Sequence, residues 1–369
     1  MPLKSNTGAI LLRMRLVERT PEVDLDLLLK GFVPPSRFAG ATFSAYRPDP
    51  RYPSQALAKE RLRRWVKDRP RGGWFPFGKK PRLPGPQGIY LDGGFGVGKT
   101  HLLVAAYLEA PSPKAFLTFE ELAYTLGLLG LREGARRFGR LCYLFVDEFD
   151  LDDPGNAQMA THFLALVMDQ GVRATTTSNT PPGALGQGRF NADQFRHQIQ
   201  SLARRFAVET LDGEDFRRRD PTRLPTLLSQ EEVERTYRQD PAPKTLDEFP
   251  ALLAHFRTLH PIRYRFLLEG VKTVYLQGLE PIEDQNDALR FVYFVDVLYN
   301  LGLGLRASGA PLEALFPEPY RFGPFAKKYG RTLPRWQSFW DKMSPWKTSR
   351  NSWVSWPTSS PKPVRRSRS

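Results

Sequence analysis

The chain has 369 residues, 41% of them hydrophobic and 12% aromatic, and its formal net charge is +15. This length predicts two or three domains with substantial cores, and the single cysteine, Cys142, excludes a disulfide framework. The positive charge suits nucleic acid, anionic membranes or acidic partners, but it says nothing about the fold. Because no apolar run reaches about 18 residues, we expect no membrane span and a soluble, cytoplasmic protein.

Residues 1–86 are interpreted as an N-terminal extension, with a short helix over residues 23–29 and a longer helix capped by Ser54. Apolar residues recur at helical spacing on one face of the longer helix. Its basic residues either contact a polyanion or form a solvated face, and we favour the solvated face. The basic loop over residues 69–86, rich in proline and glycine, is either an exposed contact loop or a linker. The apolar residues are Ala58, Leu62, Trp65 and Val66, and the basic ones are Lys59, Arg63, Arg64 and Lys67.

A phosphate-binding pattern follows the apolar run Ile89-Tyr90-Leu91, which predicts a strand. Gly93, four further residues and Gly98-Lys99-Thr100 match the P-loop, and the apolar sequence after them predicts a helix. Glycines let the backbone turn its N–H groups toward phosphate oxygens, and the helix N-terminus adds a positive dipole. We therefore predict a site for ATP and Mg²⁺, in which Lys99 contacts the β- and γ-phosphates and Thr100 binds the metal. The predicted nucleotide-binding residues are Gly93, Gly94, Phe95, Gly96, Val97, Gly98, Lys99, Thr100 and His101.

From Gly88 onward, apolar segments alternate with helical ones, which indicates a parallel sheet with crossover helices. We predict an α/β fold of the P-loop NTPase type, in which residues 87–220 form a three-layer core with five strands. The predicted strands are residues 89–91, 115–119, 141–146, 173–178 and 206–211, and the predicted helices are residues 101–108, 120–131, 157–169 and 194–205.

Asp147 and Glu148 directly follow the third apolar segment, which lies downstream of the P-loop. Because ligands bind at the carboxyl ends of strands in an open α/β sheet, both carboxylates are expected beside the P-loop. Asp147 would orient Mg²⁺, and Glu148 would act as general base or position the attacking water. The alternative is a strand that runs into an acidic turn, since Asp150, Asp152 and Asp153 lie close by.

Asn179 follows the next predicted strand, which ends in Thr176-Thr177-Ser178. A polar side chain at this position can contact the γ-phosphate or the attacking water. We therefore predict that Asn179 senses hydrolysis.

A positively charged side chain at the γ-phosphate also accelerates phosphoryl transfer, and a neighbouring molecule can supply it. Arg205, just before the last predicted strand of the core, is the first candidate and Arg189 is the second. Arg204 is a further candidate. An ordinary surface ion pair is the alternative for each of them.

Residues 221–340 predict a mostly helical α/β subdomain. Thr245-x-x-Glu248 predicts a capping box for a first helix, a second helix follows, and residues 303–307 resemble a strand. Residues 341–369 are rich in serine, proline, arginine and tryptophan without periodicity, which predicts a disordered basic tail. The apolar residues of the two helices are Phe249, Leu252, Leu253 and Phe256, then Ala288, Phe291, Val292, Val295, Leu298 and Tyr299.

Together these motifs resemble the AAA+ class and, more closely, the ZapE-type ATPases, over residues 38–336. The P-loop and the Asp-Glu pair are shared by many ATPases, whereas the combination of all these segments is fairly specific. The matching segments are residues 46–50, 53–55, 90–100, 145–149, 177–179 with Pro182 and Leu185, 211–217, 288–291 and 295–299.

The resemblance implies an AAA+-type fold and ATP hydrolysis by a homo-oligomeric ring, for which a hexamer is one option, with a protein partner in cell division or protein quality control. The chain departs from the family pattern at Phe216, where a tyrosine is usual, and at residues 331–336, where Arg-Thr-Leu-Pro-Arg-Trp replaces Arg-Thr-x-Ser-Arg-Leu. The loop after Leu185 differs as well, so the resemblance does not assign the arginine finger to Arg189.

The function predicted from the sequence is Mg²⁺-dependent ATP hydrolysis coupled to the remodelling of a protein partner. One alternative is a nucleic-acid-linked ATPase of the helicase-loader kind, which the charge of +15 and the basic residues 51–82 would suit. Its binding would weaken steeply with salt. Another alternative is a nucleotide-gated scaffold with little turnover, but the presence of Glu148 argues against it, because a switch needs no positioned base.

Overall fold

The computed structural model describes residues 14–68, 85–94, 96–149, 154–181, 200–214, 227–323, 326, 328–330 and 332. Several sequence predictions lie outside the described residues and stay predictions. They concern Phe95, Arg189, most of the helix at residues 194–205, the basic loop over residues 69–84 and the tail after residue 340.

A five-stranded parallel sheet forms the first core, with the strand order β2-β3-β4-β1-β5. In β1, Gly88 pairs with Ala174 of β4 on one side and with Phe206 of β5 on the other. All carboxyl ends therefore meet at one edge of the sheet, and the predicted α/β class is confirmed. The strands are β1 (Gly88–Gly93), β2 (Lys114–Thr118), β3 (Tyr143–Asp147), β4 (Arg173–Thr177) and β5 (Phe206–Leu211).

Helices cover both faces of this sheet, which gives three layers. Side chains alternate along β1, so Ile89 and Leu91 enter one core and Tyr90 enters the other. Helices Pro53–Lys67 and Lys99–Glu109 contribute to the first of these cores, and helices Phe119–Leu129, Leu131–Phe138 and Pro154–Asp169 to the second.

The helix predicted over residues 120–131 is the helix Phe119–Leu129, and a second helix, Leu131–Phe138, directly follows it. A capping box between Thr118 and Glu121 begins the first. Gly130, with φ of 73°, separates it from the second, which the sequence analysis did not predict. Glycine adopts this positive φ without the steric cost that a side chain would bring.

A second parallel sheet, with the strand order β6-β7-β8, lies in the C-terminal part of the chain. Its strands are β6 (Lys244–Glu248), β7 (Thr273–Leu279) and β8 (Gly304–Gly309). The central strand β7 was not predicted. The helices of this part are Gln230–Gln239, Phe249–Thr258, Tyr264–Leu267, Gln285–Leu301 and Glu318–Phe322, with short 3-10 helices at Pro261–Arg263 and Leu312–Ala314.

The predicted capping box at Thr245 and Glu248 is wrong, although the helix after it is correct. Both residues belong to β6, where they pair with β7, and no side chain caps the helix that starts at Phe249. The local Thr-x-x-Glu pattern was outweighed by non-local strand pairing, and Pro250 at the second helical position suits a helix start.

The start of the described chain packs against the C-terminal sheet. Leu16 lies in the core of the C-terminal part, within the 3-10 helix Leu16–Glu18. The backbone N–H groups of Leu16 and Val17 donate to the Asp247 carboxylate at 3.0 and 3.2 Å. Burial raises the pKa of that carboxyl group, and these two hydrogen bonds oppose the rise. Residues interpreted as one N-terminal extension thus contribute to three cores, Leu16 to this one, Leu28 to one side of the five-stranded sheet and helix Pro53–Lys67 to the other side. The domain boundaries stay a prediction.

Two further elements lie between that segment and helix Pro53–Lys67. They are the helix Leu25–Lys30, capped by Asp24, and the 3-10 helix Ser36–Phe38.

No helix among the described residues is long and apolar enough to cross a bilayer.

Phe256→Ala tests the C-terminal core. The Phe256 ring is fully buried, with its centroid 4.5 Å from that of Tyr264 and 4.8 Å from that of Phe294. We expect the variant to lose about 3–5 kcal/mol of unfolding free energy in urea titrations. Leu57→Ala is the matched control, because Leu57 is 55% exposed, and its loss should stay within about 0.5 kcal/mol. Equal losses in the two variants would contradict the packing described here.

Candidate nucleotide-binding site

The predicted P-loop joins the carboxyl end of β1 to the helix Lys99–Glu109, as the sequence pattern requires. Gly98 precedes the helix with a left-handed φ of 94°. A Cβ atom built on Gly98 would lie 2.5 Å from Cε2 of Tyr46. Glycine is therefore required here by both backbone conformation and space.

Lys99 is folded back against the loop that precedes it. Its Nζ donates to the carbonyl oxygens of Gly93 and Gly94 at 2.9 and 2.6 Å, and to Oδ1 of Asn179 at 3.0 Å. The side chain is only 9% exposed. A buried ammonium group held over the glycine-rich loop can bind an anion, and Asn179 lies beside it. That Asn179 senses the γ-phosphate stays a prediction.

Asp147 lies at the carboxyl end of β3 and contacts two other elements. Its Oδ1 accepts hydrogen bonds from the hydroxyls of Thr100 at 3.1 Å and Thr177 at 2.6 Å. Burial and the charge of the neighbouring Glu148 raise the pKa of the Asp147 carboxyl, whereas these two hydrogen bonds lower it. The two hydroxyls thus compensate part of the cost of burying this carboxylate.

Glu148 has an unusual backbone, with φ of 54°. Its N–H donates to Oγ1 of Thr177 at 2.9 Å, and the N–H of Phe149 donates to the Thr177 carbonyl at 2.7 Å. A non-glycine residue in this region costs about 1–3 kcal/mol and persists only where its surroundings hold it. Phe149 supplies such an anchor, because it is buried and its ring meets that of Phe119 at 5.3 Å.

Thr177 is a functional candidate that the sequence analysis did not identify. From the sequence, Thr177 was only one of three polar residues at the end of a predicted strand. The register that pairs Val146 with Thr176 places Thr177 level with Asp147, and the sequence carries no signal for that register.

Tyr46 and His101 brace the loop from the N-terminal side. The Tyr46 hydroxyl donates to the Val97 carbonyl at 3.0 Å, and Nε2 of His101 lies 2.9 Å from the Thr42 carbonyl oxygen. Their ring centroids are 5.4 Å apart. His101, predicted to bind nucleotide, is thus engaged by the segment before helix Pro53–Lys67.

Arg205 lies at the opposite edge of the sheet from Lys99. Its guanidinium contacts Asp169 at 2.8 Å, and its carbonyl accepts from the N–H of Gly88, the first residue of β1. Arg205 therefore does not contribute to the phosphate site of its own chain. Its role toward a neighbouring chain stays a prediction.

The hydroxyl oxygen of Thr100 and the carboxylate oxygens of Asp147 could together hold a divalent cation. Hydroxyl and carboxylate oxygens are the ligands that Mg²⁺ uses, usually with several waters and substrate phosphates. The donor set on this edge of the sheet therefore fits Mg²⁺ bound together with a nucleoside triphosphate.

The solved structures to which the chain is similar include three replication proteins. A DNA replication initiation factor is 14% identical over 54% of this chain and 54% of that chain, with a TM-score of 0.35. The DnaC helicase loader is 18% identical over 48% of this chain and 99% of that chain (TM-score 0.35), and DnaI is 19% identical over 50% and 94% (TM-score 0.37). This chain spans about half the length of the first of them.

No curated protein matches the chain with significance. The family model described as AFG1-like ATPase, however, matches residues 27–234 and 224–343. That match covers most of the chain and includes every residue of the site. The chain therefore belongs to the AFG1-like ATPases, and it is a P-loop enzyme that hydrolyses ATP, as the resemblance to ZapE-type ATPases implied.

Proposed function

We propose that the chain hydrolyses ATP with Mg²⁺ as a homo-oligomer and uses the energy to remodel a protein partner. The observation that carries this proposal is the convergence of Lys99, Thr100, Asp147, Thr177 and Asn179 at one sheet edge, with contacts of 2.6–3.1 Å among them. These are the residue types that bind phosphate and metal in P-loop enzymes.

Each side chain then has a separate task. The loop N–H groups and Lys99 bind the β- and γ-phosphates, and Thr100 and Asp147 hold the metal. Asn179, which accepts a hydrogen bond from Lys99 at 3.0 Å, would sense the γ-phosphate. Mg²⁺, when bound with ATP, neutralises the charge that develops on the phosphate oxygens.

Glu148 would orient and deprotonate the attacking water. Thr177 accepts the hydrogen bond from its backbone N–H, which ties the strained residue to β4. A backbone held in this way limits the positions that the Glu148 carboxylate can take, which favours its alignment with the water. This constraint supports hydrolysis over a nucleotide-gated scaffold.

The oligomer is proposed because Arg205, the first candidate for the arginine finger, is not at the phosphate site of its own chain. Arg205 lies at the amino edge of the sheet, whereas Lys99 lies at the carboxyl edge. Arg205 can therefore reach a γ-phosphate only across a boundary between subunits. A ring, with a role in cell division, is what the family resemblance suggests, and the partner is proposed to be a protein in the cytoplasm.

The helicase-loader alternative rests on the positive charge, but several basic residues of its predicted interface have acidic partners in the chain. Arg51 contacts Asp49 at 2.7 Å, and Arg61 contacts Glu209 at 3.0 Å. Lys59 donates to the Tyr46 carbonyl at 3.1 Å. These contacts favour the interpretation in which helix Pro53–Lys67 packs its apolar face on the sheet and its basic residues form a solvated face.

Glu148→Gln tests the proposed base. We expect turnover to fall by about 100-fold or more, because the amide cannot accept a proton from water. ATP binding, followed with a fluorescent analogue, should be retained because the phosphate-binding residues are unchanged. Glu234→Gln is the control, because Glu234 forms an ion pair with Arg238 within the helix Gln230–Gln239, which is not part of the site. Undiminished hydrolysis in the Glu148 variant would remove Glu148 from the mechanism.

Thr177→Val tests the role of the Thr177 hydroxyl at nearly constant side-chain volume. The change leaves the Asp147 carboxylate and the Glu148 N–H each without one partner, and we expect turnover to slow by about tenfold. Thr176→Val is the matched control. Thr176 is also buried, and among the described residues its hydroxyl has no hydrogen-bond partner, so its loss should be nearly neutral. Equal effects of the two substitutions would contradict the assignment.

DNA binding separates the leading proposal from its rival. We expect no stimulation of ATP hydrolysis by single- or double-stranded DNA, and only non-specific affinity with Kd of about 10⁻⁴–10⁻⁶ M at physiological salt. Fluorescence anisotropy over a salt series and parallel phosphate-release assays measure both. Turnover that rises with DNA at low salt would support the helicase-loader alternative instead.

A further inference from the structure

The C-terminal sheet repeats part of the five-stranded sheet strand by strand. We call β2, β3 and β4 the first unit and β6, β7 and β8 the second unit. Lys114 of β2 pairs with Tyr143 of β3, and 130 positions later Lys244 of β6 pairs with Thr273 of β7. All five pairs between β2 and β3 recur with this spacing. The four pairs between β3 and β4 recur between β7 and β8, 130 positions later on one strand and 131 on the other. The sequence analysis did not identify this repeat.

The connection from a helix to the first strand has the same contacts in both units. Nζ of Lys114 donates to the Tyr107 carbonyl at 2.5 Å and lies 4.5 Å from the centroid of the Tyr107 ring. Nζ of Lys244 also donates to the Tyr237 carbonyl and lies 4.7 Å from the centroid of that ring. Each lysine donates to the carbonyl four residues earlier as well, and so satisfies carbonyls at a helix end. Tyrosine, two prolines and lysine are shared by the connecting sequences, which are Tyr-Leu-Glu-Ala-Pro-Ser-Pro-Lys over residues 107–114 and Tyr-Arg-Gln-Asp-Pro-Ala-Pro-Lys over residues 237–244.

The N-terminal segment covers the same position on the outer edge of both units. β2 and β6 are edge strands, whose outer N–H groups need partners. The N–H of Phe116 in β2 donates to the Phe32 carbonyl at 2.8 Å. The N–H of Leu246, the matching residue of β6, donates to the Met14 carbonyl at 3.3 Å. Strand order alone recurs among unrelated parallel sheets, but a shared register, helix connection and edge contact indicate a common origin.

At the carboxyl edge, the second unit keeps the backbone of the ATPase site but not its acidic side chains. Gln277 has the register position of Asp147, opposite the last residue of the edge strand. Gly278 follows Gln277 with φ of 71°, as Glu148 follows Asp147 with φ of 54°. The amide of Gln277 carries no charge that balances a divalent cation, and glycine has no side chain that accepts a proton from water.

The helix that precedes each unit also begins differently. Helix Lys99–Glu109 follows the P-loop, whereas helix Gln230–Gln239 follows Ser229, whose hydroxyl accepts from the N–H of Glu232 in a capping box. Glu231 and Glu232 place two acidic side chains in the first turn of that helix. Such carboxylates occupy the positive helix N-terminus and repel phosphate. At these positions the second unit therefore lacks the groups that bind a nucleotide in the first.

We propose that residues 230–309 are a second copy of the segment at residues 99–177, and that this copy has lost its nucleotide site. The copy keeps the strand register, the helix connection and the edge contact, while the phosphate- and metal-binding groups are replaced. Each chain therefore binds one nucleotide, at the P-loop. The loss of the site rests on the proposed function, because it takes Asp147 and Glu148 as functional residues, whereas the repeat does not. The rivals are a second working nucleotide site and an unrelated sheet of the same strand order.

Counting bound nucleotide decides between a lost and a working second site. We expect equilibrium dialysis of the full-length chain with radiolabelled ADP and Mg²⁺ to give one nucleotide per chain. Lys99→Ala should bind none, and Glu231→Gln, a control at an exposed residue of the second copy, should still bind one. Two nucleotides in the parent, with one retained in Lys99→Ala, would overturn the loss of the second site. A parent that binds none would contradict the proposed function, and the stability measurement below would still decide the repeat.

Matched substitutions at the two lysines test the repeat without any nucleotide. Lys114→Met and Lys244→Met each remove an ammonium group from the end of a helix, and we expect both to lower the apparent Tm by about 3–10 °C. Lys67→Met is the control, because Lys67 is an exposed lysine in the last turn of helix Pro53–Lys67, and its shift should stay within about 2 °C. A loss in only one of the two variants, or losses no larger than that of the control, would overturn the equivalence of the two units.

Discussion

The hydrogen bonds that Asp147 accepts from Thr100 and Thr177 are the contacts on which the rest of the site depends. They join the helix after the P-loop, the end of β3 and the end of β4 through a single carboxylate oxygen, at 3.1 and 2.6 Å. A buried carboxylate is costly unless it is hydrogen-bonded. The three elements are therefore held in one arrangement, in which Lys99 and Asn179 also meet.

Thr177 extends this constraint to the neighbouring residue. The same hydroxyl that donates to Asp147 accepts from the N–H of Glu148. One side chain thus positions the proposed metal ligand and the proposed base together, and it compensates for a backbone conformation that Glu148 would not adopt alone. Such rigid placement is what hydrolysis by a positioned carboxylate requires.

The sequence predicted the parts of the site that follow local rules. The glycine spacing before Lys99 and Thr100 requires a strand, a turn and a helix in one short segment, and an apolar strand that ends in Asp147 and Glu148 has a clear position in a parallel sheet. Thr177 could not be predicted in this way. Its role depends on the strand register, which places Thr177 level with Asp147. The strand β7 and the failed capping box at Thr245 have the same cause, since pairing between distant strands outweighed local patterns.

The path of the chain links the two sheets more closely than a simple series of domains would. Leu16 lies in the C-terminal core, and the chain then returns to place Tyr46 against the P-loop. Tyr124 of helix Phe119–Leu129 meets Tyr293 of helix Gln285–Leu301, with ring centroids 4.8 Å apart. The C-terminal part thus packs against the ATPase core at several points.

Steady-state ATP hydrolysis by the purified full-length chain, measured across a series of protein concentrations with Mg²⁺, tests the central claim most directly. We expect phosphate release that requires Mg²⁺ and a specific activity that rises with concentration, because in the proposed oligomer a neighbouring chain completes each site. A specific activity that does not change with concentration would contradict the shared site. No release above the rate in buffer would contradict the assignment of Asp147, Glu148 and Thr177 to hydrolysis.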